Sequence, residues 1–122
     1  MKTFLTFLLL LLATFSSTAQ DSKSAICSKK ADLLKGVETG RIEITLPETV
    51  LKDDVEKYAG YYKNAFTIDF NEKSHVVSIL MVENNSSNRK VIMRFLAANQ
   101  VQNVIVEDKL FLVNDFYENF LK

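Results

Sequence analysis

One cysteine, one histidine and scattered carboxylates are the residues of this chain that could bind a metal or perform acid–base and nucleophilic chemistry. Tetrahedral zinc and copper sites draw on several cysteine and histidine ligands. Cys27 and His75 belong to different predicted elements, and the spacing of the other residues suggests no third ligand. The Gly-X-Ser-X-Gly turn of a serine hydrolase does not occur in the sequence. We therefore expect no catalytic residue, no metal site and no cofactor, and a protein that is not an enzyme.

Cys27 has three interpretations, because the chain contains no second cysteine with which it could pair. It could be a solvent-exposed thiol without a special role, or it could join two chains through an intermolecular disulfide in an oxidising compartment. A catalytic thiol would need a histidine beside it, and His75 is the only histidine in the sequence. We expect His75 to be an exposed residue at the corner of a hairpin. A single cysteine also excludes an internal disulfide framework.

The acidic cluster of Asp53, Asp54 and Glu56 does not predict a catalytic pair of carboxylates. Adjacent residues point in different directions around a helix axis, so these side chains do not converge on one point. We interpret them as the solvated start of a helix, where the helix dipole favours negative charge. Five aromatic residues recur at core spacing, and we expect them in the core and not on a stacking platform for nucleotide bases. They are Tyr58, Tyr62, Phe66, Phe70 and Phe95.

The charge balance argues against nucleic acid and anionic membranes as partners. Lysine plus arginine and aspartate plus glutamate number 15 each, and the two signs are interspersed, so no basic stripe appears. The three glycines are not clustered, and no phosphate-binding loop is predicted.

The N-terminal residues have the pattern of a secretory signal peptide. Lys2 supplies the positive charge, residues 4–15 form an apolar run, and Ser17 and Ala19 are the small residues that precede a cleavage site. The apolar run of about 12 residues is too short for a membrane-spanning helix, which needs about 20. We predict residues 1–19 to be a signal peptide cleaved after Ala19, and the protein to be periplasmic or secreted, with no stable membrane anchor after cleavage.

The rest of the chain predicts one α+β domain preceded by a flexible N-terminal arm over residues 20–40. Strands are expected at residues 41–46, 65–71, 75–82 and 101–107, with one helix after Pro47 and another capped by Ser86 or Ser87. This order predicts a ferredoxin-like βαββαβ sandwich over residues 41–107, with its first and third strands in the middle of the sheet. Residues 108–122 are expected to add a hairpin strand and a helix to the same domain.

The predicted third strand is apolar on both faces, which indicates a central position. If Val77, Ile79 and Met81 face the helices, then Val76, Leu80, Val82 and Ile105 emerge on the other side of the sheet. We expect the C-terminal strand and helix, or a partner, to cover part of that second side.

The stretch from Ala65 to Glu107 resembles the second half of a heavy-metal-associated domain: two strands around an Asn-Glu-Lys-Ser turn, a short polar loop, a helix and a strand. That family carries its metal motif, Met-X-Cys-X-X-Cys, between the first strand and the first helix. The corresponding loop here, residues 46–51, contains no cysteine. The resemblance therefore implies the ferredoxin-like fold but transfers no metal ligand, and soft-metal transfer needs thiolates.

These observations favour an exported, small, non-catalytic binding or protein-interaction module, whose partner is another protein or a second copy of the chain. Two alternatives come from other classes. One is a divergent heavy-metal-associated domain that handles metal through Cys27 on the mobile arm. The other is an inhibitor that resembles the ferredoxin-like pro-segments of some secreted proteases.

Overall fold

The computed structural model describes residues 23–27 and 29–122 of the chain. The predicted signal peptide and its cleavage site lie outside these residues. The elements in chain order are β1 (Ser24–Cys27), α1 (Lys30–Thr39), β2 (Arg41–Thr45), α2 (Lys52–Gly60), β3 (Phe66–Asn71), β4 (Val76–Met81), α3 (Ser86–Ala98), β5 (Asn103–Val106), β6 (Lys109–Leu112) and α4 (Val113–Phe116), which continues as a π-helical segment over Tyr117–Leu121. None of the helices among the described residues is long and apolar enough to span a membrane.

The described strands form one mixed, six-stranded sheet in the order β3-β4-β2-β1-β5-β6. β2 pairs antiparallel with β4 from Arg41 opposite Leu80 to Thr45 opposite Val76, and β4 pairs antiparallel with β3. β1 is parallel to β5 and antiparallel to β2. The α+β class and the pairing of residues 41–46 with residues 75–82 are therefore confirmed.

The prediction of a flexible arm over residues 20–40 is wrong for the part that the structure describes. Ser24–Cys27 forms β1 in the interior of the sheet, between β2 and β5, and Lys30–Thr39 forms the helix α1. Ala25 and Cys27 are buried beside Val104 and Val106 of β5. The sequence signal is weak because β1 has only four residues, one of which is the small Ala25. Its stability comes from two neighbouring strands and not from local propensity.

Two glycines determine how α1 joins β2. Gly40 ends α1 with φ of 82°, in the left-handed region that glycine adopts at no steric cost, and its N–H donates to the carbonyl of Gly36. Gly36 lies against the chain that follows: a Cβ atom at this position would be 2.5 Å from the carbonyl oxygen of Arg41. The close approach of α1 to β2 therefore requires the absence of a side chain at Gly36.

α3 begins after Asn85, whose Oδ1 accepts a hydrogen bond from the backbone N–H of Asn88 at 2.8 Å. The prediction that Ser86 or Ser87 caps this helix is therefore wrong by one or two positions. An asparagine satisfies the free N–H groups of the first turn as well as a serine does, so composition could not distinguish the three residues.

The core lies between the helices and one face of the sheet. Val77, Ile79 and Met81 are buried on this face, as predicted. The C-terminal segment belongs to the same core: Phe116 and Leu121 are fully buried, and the π-helical segment contacts α1 and α3. The expectation that this segment covers the second side of the sheet is therefore wrong.

Candidate interaction surface

The second face of the sheet, which we call the open face, is covered by no helix within residues 23–27 and 29–122, although Ser24 on this face is buried. Side chains at alternate positions of a strand point to opposite faces. The residues that alternate with the buried ones, such as Glu43, Thr67 and Asp69, are accordingly exposed. Leu80, which lies between the buried Ile79 and Met81, is 54% exposed on the open face. An exposed leucine on a central strand makes this face the first candidate for a functional surface.

A row of cross-strand neighbours crosses the open face, and four of its six members are aliphatic. Its members are direct cross-strand neighbours, one from each strand: Ile105 lies opposite both Leu110 and Ile26, Thr45 lies opposite both Ile26 and Val76, and Val76 lies opposite Asn71. We call the residues Leu110, Ile105, Ile26, Thr45, Val76 and Asn71 the apolar row. Its four middle members are half-buried and Leu110 is 55% exposed. Cross-strand neighbours lie about 5 Å apart, so the row forms a continuous surface.

The charged residues of the open face lie on one side of the apolar row. Glu43, two positions before Thr45, accepts a hydrogen bond from the hydroxyl of Ser78 at 3.1 Å, and Ser78 is paired with Asp69 in the sheet. Arg41 lies two residues before Glu43 in β2, on the same face of the sheet. On the other side of the row, Asn103 is paired with Leu112, which is 58% exposed and carries no charge.

Cys27 is buried, 4% exposed, on the face of β1 that meets the core. Its thiol donates a weak, 3.8 Å hydrogen bond to the carbonyl oxygen of Glu43. Burial raises the pKa of the Cys27 thiol to about 12, because a thiolate would lose its hydration. The interpretation of Cys27 as an exposed thiol is therefore wrong, and the neutral thiol is a poor nucleophile and metal ligand.

His75 lies in the hairpin between β3 and β4, two strands away from the strand of Cys27. It adopts a left-handed backbone conformation with φ of 61°, and its ring packs edge-on against Phe70 with 5.4 Å between centroids. The residue is half-buried, not exposed as predicted, because Phe70 offers its ring a surface. No group of three or more histidine, cysteine, aspartate or glutamate residues that could hold a metal occurs within residues 23–27 and 29–122.

The acidic cluster is exposed at the start of α2, as predicted. Asp53 and Asp54 lie in its first turn, and Glu56 is 4.0 Å from the ammonium of Lys52. Such an exposed ion pair contributes little to stability. The predicted aromatic core is also present: Phe66 and Phe95 are fully buried and meet edge to face, with 5.5 Å between their centroids.

A buried arginine is the feature that the sequence interpretation missed. Arg89 of α3 donates from Nε to the main-chain oxygen of Leu121 at 2.6 Å and from Nη2 to that of Lys122 at 3.2 Å. Its Nη1 donates to Oδ1 of Asn84 at 2.6 Å, and the amide of Asn84 donates to the carbonyl oxygen of Val37 in α1. The spacing with Ile92 and Leu96 was the available signal, because it places Arg89 on the buried stripe of the helix.

Two surface clefts are further candidates for a functional site. One, of about 310 Å³, lies beside Cys27 and is lined by charged residues of α1 and β2, including Lys35, Arg41 and Glu43. The other, of about 510 Å³, is a shallow apolar groove between α3 and β6, with Met93 and Leu112 among its lining residues. The first places a neutral thiol beside the charged groups, and the second contains no nucleophile or base. Neither arrangement indicates catalysis.

Comparison of the chain with protein-family models, with curated proteins and with solved structures finds no match. The argument for function therefore depends on the surface itself.

Proposed function

We propose that this protein is an exported, non-catalytic interaction module that binds another protein through the open face of its sheet. The observation that carries the proposal is the apolar row, in which aliphatic residues of β6, β5, β1 and β4 lie on the open face without a covering element among the described residues. When a partner covers aliphatic surface that was in contact with water, the free energy of association becomes more favourable by about 25 cal/mol per Å² buried. Contiguous exposed apolar patches on soluble proteins often mark such interfaces.

We infer further that the part from β2 to β5 is a ferredoxin-like βαββαβ unit into which β1 has been inserted. The adjacent antiparallel strands β2, β4 and β3 support this, as does the position of α2 and α3 after β2 and β4. In an uninterrupted unit β5 would pair with β2, whereas here β1 separates them.

The alternative functions have less support. The loop that would correspond to the metal loop of a heavy-metal-associated domain contains the buried Leu46 and Val50 in place of exposed ligands, and Cys27 holds a neutral buried thiol. A protease pro-segment that acts through an extended C-terminal tail does not fit a C-terminal helix whose Phe116 and Leu121 lie in the core.

Site-specific photocross-linking tests the proposal. A photoreactive phenylalanine analogue is introduced at Leu110 or Thr67 on the open face, or at the exposed Lys57 of α2 as a control. Illumination of cells that make the protein is expected to give discrete protein adducts from Leu110 and Thr67 and none from Lys57. Adducts from Lys57 alone, or no adduct from either open-face position, would refute an interaction through the sheet.

A further inference from the structure

We propose that a third cleft, at the start of α2 and the end of α3, binds a neutral sugar. The cleft has a volume of about 410 Å³, within the range of about 300 to 1,000 Å³ that is usual for small-molecule sites. Thr49, Asp54 and Tyr58 contribute to it from α2 and the turn before that helix, and Asn99 and Gln100 contribute from the end of α3. The cleft is separate from the open face, so this inference does not depend on the proposed function.

Asn99 carries the inference, because its side-chain oxygen is a buried acceptor without a donor. The residue lines the cleft and is 4% exposed. Its Nδ2 donates to the main-chain oxygen of Phe95 at 2.9 Å, which fixes the orientation of the amide because a carbonyl oxygen can only accept. Oδ1 has no hydrogen-bond partner within the described part of the chain, and an unpaired buried acceptor is unfavourable. A ligand hydroxyl would supply the donor.

Access to this oxygen requires a small rearrangement. Oδ1 of Asn99 is shielded from solvent in the free protein, so side chains of the cleft wall must shift before a hydroxyl can reach it. Changes of side-chain rotamer are common when partners bind. Gln100, Thr49 and Asp54 are exposed at the same cleft and are free of the packing that would hold a core residue in place.

The other polar groups of the cleft also suit a ligand rich in hydroxyls. Asp54 and Tyr58 lie four residues apart on one face of α2. The carboxylate of Asp54 only accepts hydrogen bonds, whereas the hydroxyls of Tyr58 and Thr49 both donate and accept. These three side chains make no hydrogen bond to residues 23–27 and 29–122. Val50 and Ala98 add apolar surface for the C–H groups of a sugar ring.

The charges of the cleft favour a neutral ligand over an ion. Asp54 and Lys23 are the acid and the base among the residues that line it. An anion would be repelled by Asp54 and a cation by Lys23. A neutral polyol can instead donate a hydroxyl to the carboxylate and accept from the ammonium.

Gln100 gives independent support. It follows the C-cap of α3 and has φ of 67°, in the left-handed region. Glycine is the usual residue at this position because it has no Cβ atom that would be strained there. Strained backbone conformations concentrate at functional sites. The chain has glutamine here, and its amide brings both a donor and an acceptor to the cleft.

Titration of the ¹⁵N-labelled protein, followed by NMR, tests the class of ligand. The neutral probes are glucose, galactose, mannose and N-acetylglucosamine, and glucosamine and glucuronic acid are the charged counterparts of glucose. We expect a neutral sugar to shift the resonances of Gln100 and of the Asn99 side-chain amide, with a millimolar dissociation constant. Both charged sugars should bind at least about threefold more weakly than glucose. No shift with any neutral sugar, an unchanged Asn99 side-chain resonance, or tighter binding of a charged sugar would overturn the inference.

Matched variants locate the site. Asp54→Asn and Tyr58→Phe should each weaken binding of the tightest neutral sugar about threefold to tenfold, because each loses a hydrogen-bonding atom. Asp53→Asn and Tyr61→Phe should leave it unchanged. Tyr61 is 66% exposed and its ring contacts that of Tyr58, but it does not line the cleft. Equal effects within either pair would show that the sugar binds elsewhere.

Gln100→Gly separates contact with the ligand from a structural role. Glycine relieves the left-handed conformation, so the variant should have a higher melting temperature than the wild type. It should nevertheless bind the sugar about threefold more weakly, because the amide of Gln100 is lost. A stabilised variant with unchanged affinity, or a destabilised variant, would contradict the role assigned to Gln100.

Discussion

Nε of Arg89 lies 2.6 Å from the main-chain oxygen of Leu121, so a side chain of α3 holds the last turn of the chain against the core. Through Asn84, the same guanidinium is linked to the end of α1. One buried arginine thus connects three segments that are distant in sequence.

The first prediction concerns this connection. Arg89→Met should lower the free energy of unfolding by about 2 to 4 kcal/mol, because it leaves two main-chain oxygens and the Asn84 oxygen without their donor. Urea denaturation measures the change. Arg94→Met, on the exposed side of the same helix, should stay within about 0.5 kcal/mol of the wild type. Arg89→Lys should also be destabilising, because one ammonium cannot reproduce the planar fork. Equal stability of the Arg89→Met and Arg94→Met variants would show that the connection is dispensable.

The second prediction uses the contrast between two helical glycines. Gly36→Ala should destabilise the protein by about 1 to 3 kcal/mol, because the new methyl group would lie 2.5 Å from the carbonyl oxygen of Arg41 and β2 would have to move. Gly60→Ala is the matched control, since nothing lies within 4 Å of a Cβ at that position. Alanine's higher helix propensity should there give a change between zero and about 1 kcal/mol of stabilisation. Thermal melts of both variants decide the matter, and a stabilised Gly36→Ala variant would contradict the close approach of α1 to β2.

The third prediction compares adjacent residues on the two faces of β4. Ile79 is fully buried and Leu80 is 54% exposed. Ile79→Ala should cost about 2 to 5 kcal/mol through lost burial and the cavity that remains, whereas Leu80→Ala should cost less than about 1 kcal/mol. Denaturation is measured at sub-micromolar protein concentration, where self-association does not contribute. A reversed order of the two costs would mean that the faces of the sheet are assigned wrongly.

The fourth prediction concerns alkaline pH. Burial raises the pKa of the Cys27 thiol from its ordinary value of 9.0 to about 12 in the folded protein. Above pH 9 the unfolded chain therefore releases a proton that the folded protein retains, and stability falls as pH rises from about 9 towards 12. Between pH 8 and pH 10 the loss should be about 1.4 kcal/mol. Cys27→Ala should lack this component, so the test is the difference between wild type and variant in urea denaturation at both pH values. Identical pH dependence of the two proteins would contradict the buried neutral thiol.

Much of the fold could be predicted from period-two and helical spacing, and the failures have identifiable physical causes. The pairing of β2 with β4 was predictable because Ile42, Ile44, Val77 and Ile79 mark one face unambiguously. β1 was not, because a four-residue strand with a small residue in it shows little alternation and is stabilised by partners that are remote in sequence. The face of the sheet on which the C-terminal helix packs was also not predictable, since its aromatic residues could cover either face. Arg89 lies on the buried stripe of α3 and donates to main-chain oxygens of the C-terminal segment. Main-chain partners cannot be recognised from residue types, so Arg89 did not predict that this segment packs on the helix-covered face of the sheet.

The candidate surface was predictable in part. The two-sided apolarity of β4 indicated that Val76 and Leu80 would emerge opposite the helices, and the structure places them there. The extent of the apolar row was not predictable, because Ile26 contributes one of its middle members from a segment whose sequence pattern predicts a flexible arm. A cross-strand row depends on register, and register cannot be read from one strand alone.

The insertion of β1 between β2 and β5 has a consequence for how the chain folds. Ser24 is paired with Asn103, so the middle of the sheet is assembled only after nearly the whole polypeptide has been synthesised. Contacts between such remote segments close slowly. Until then the backbone edges of β2 and β5 are unsatisfied, so the unfinished sheet can pair with strands of other chains until a late stage of folding.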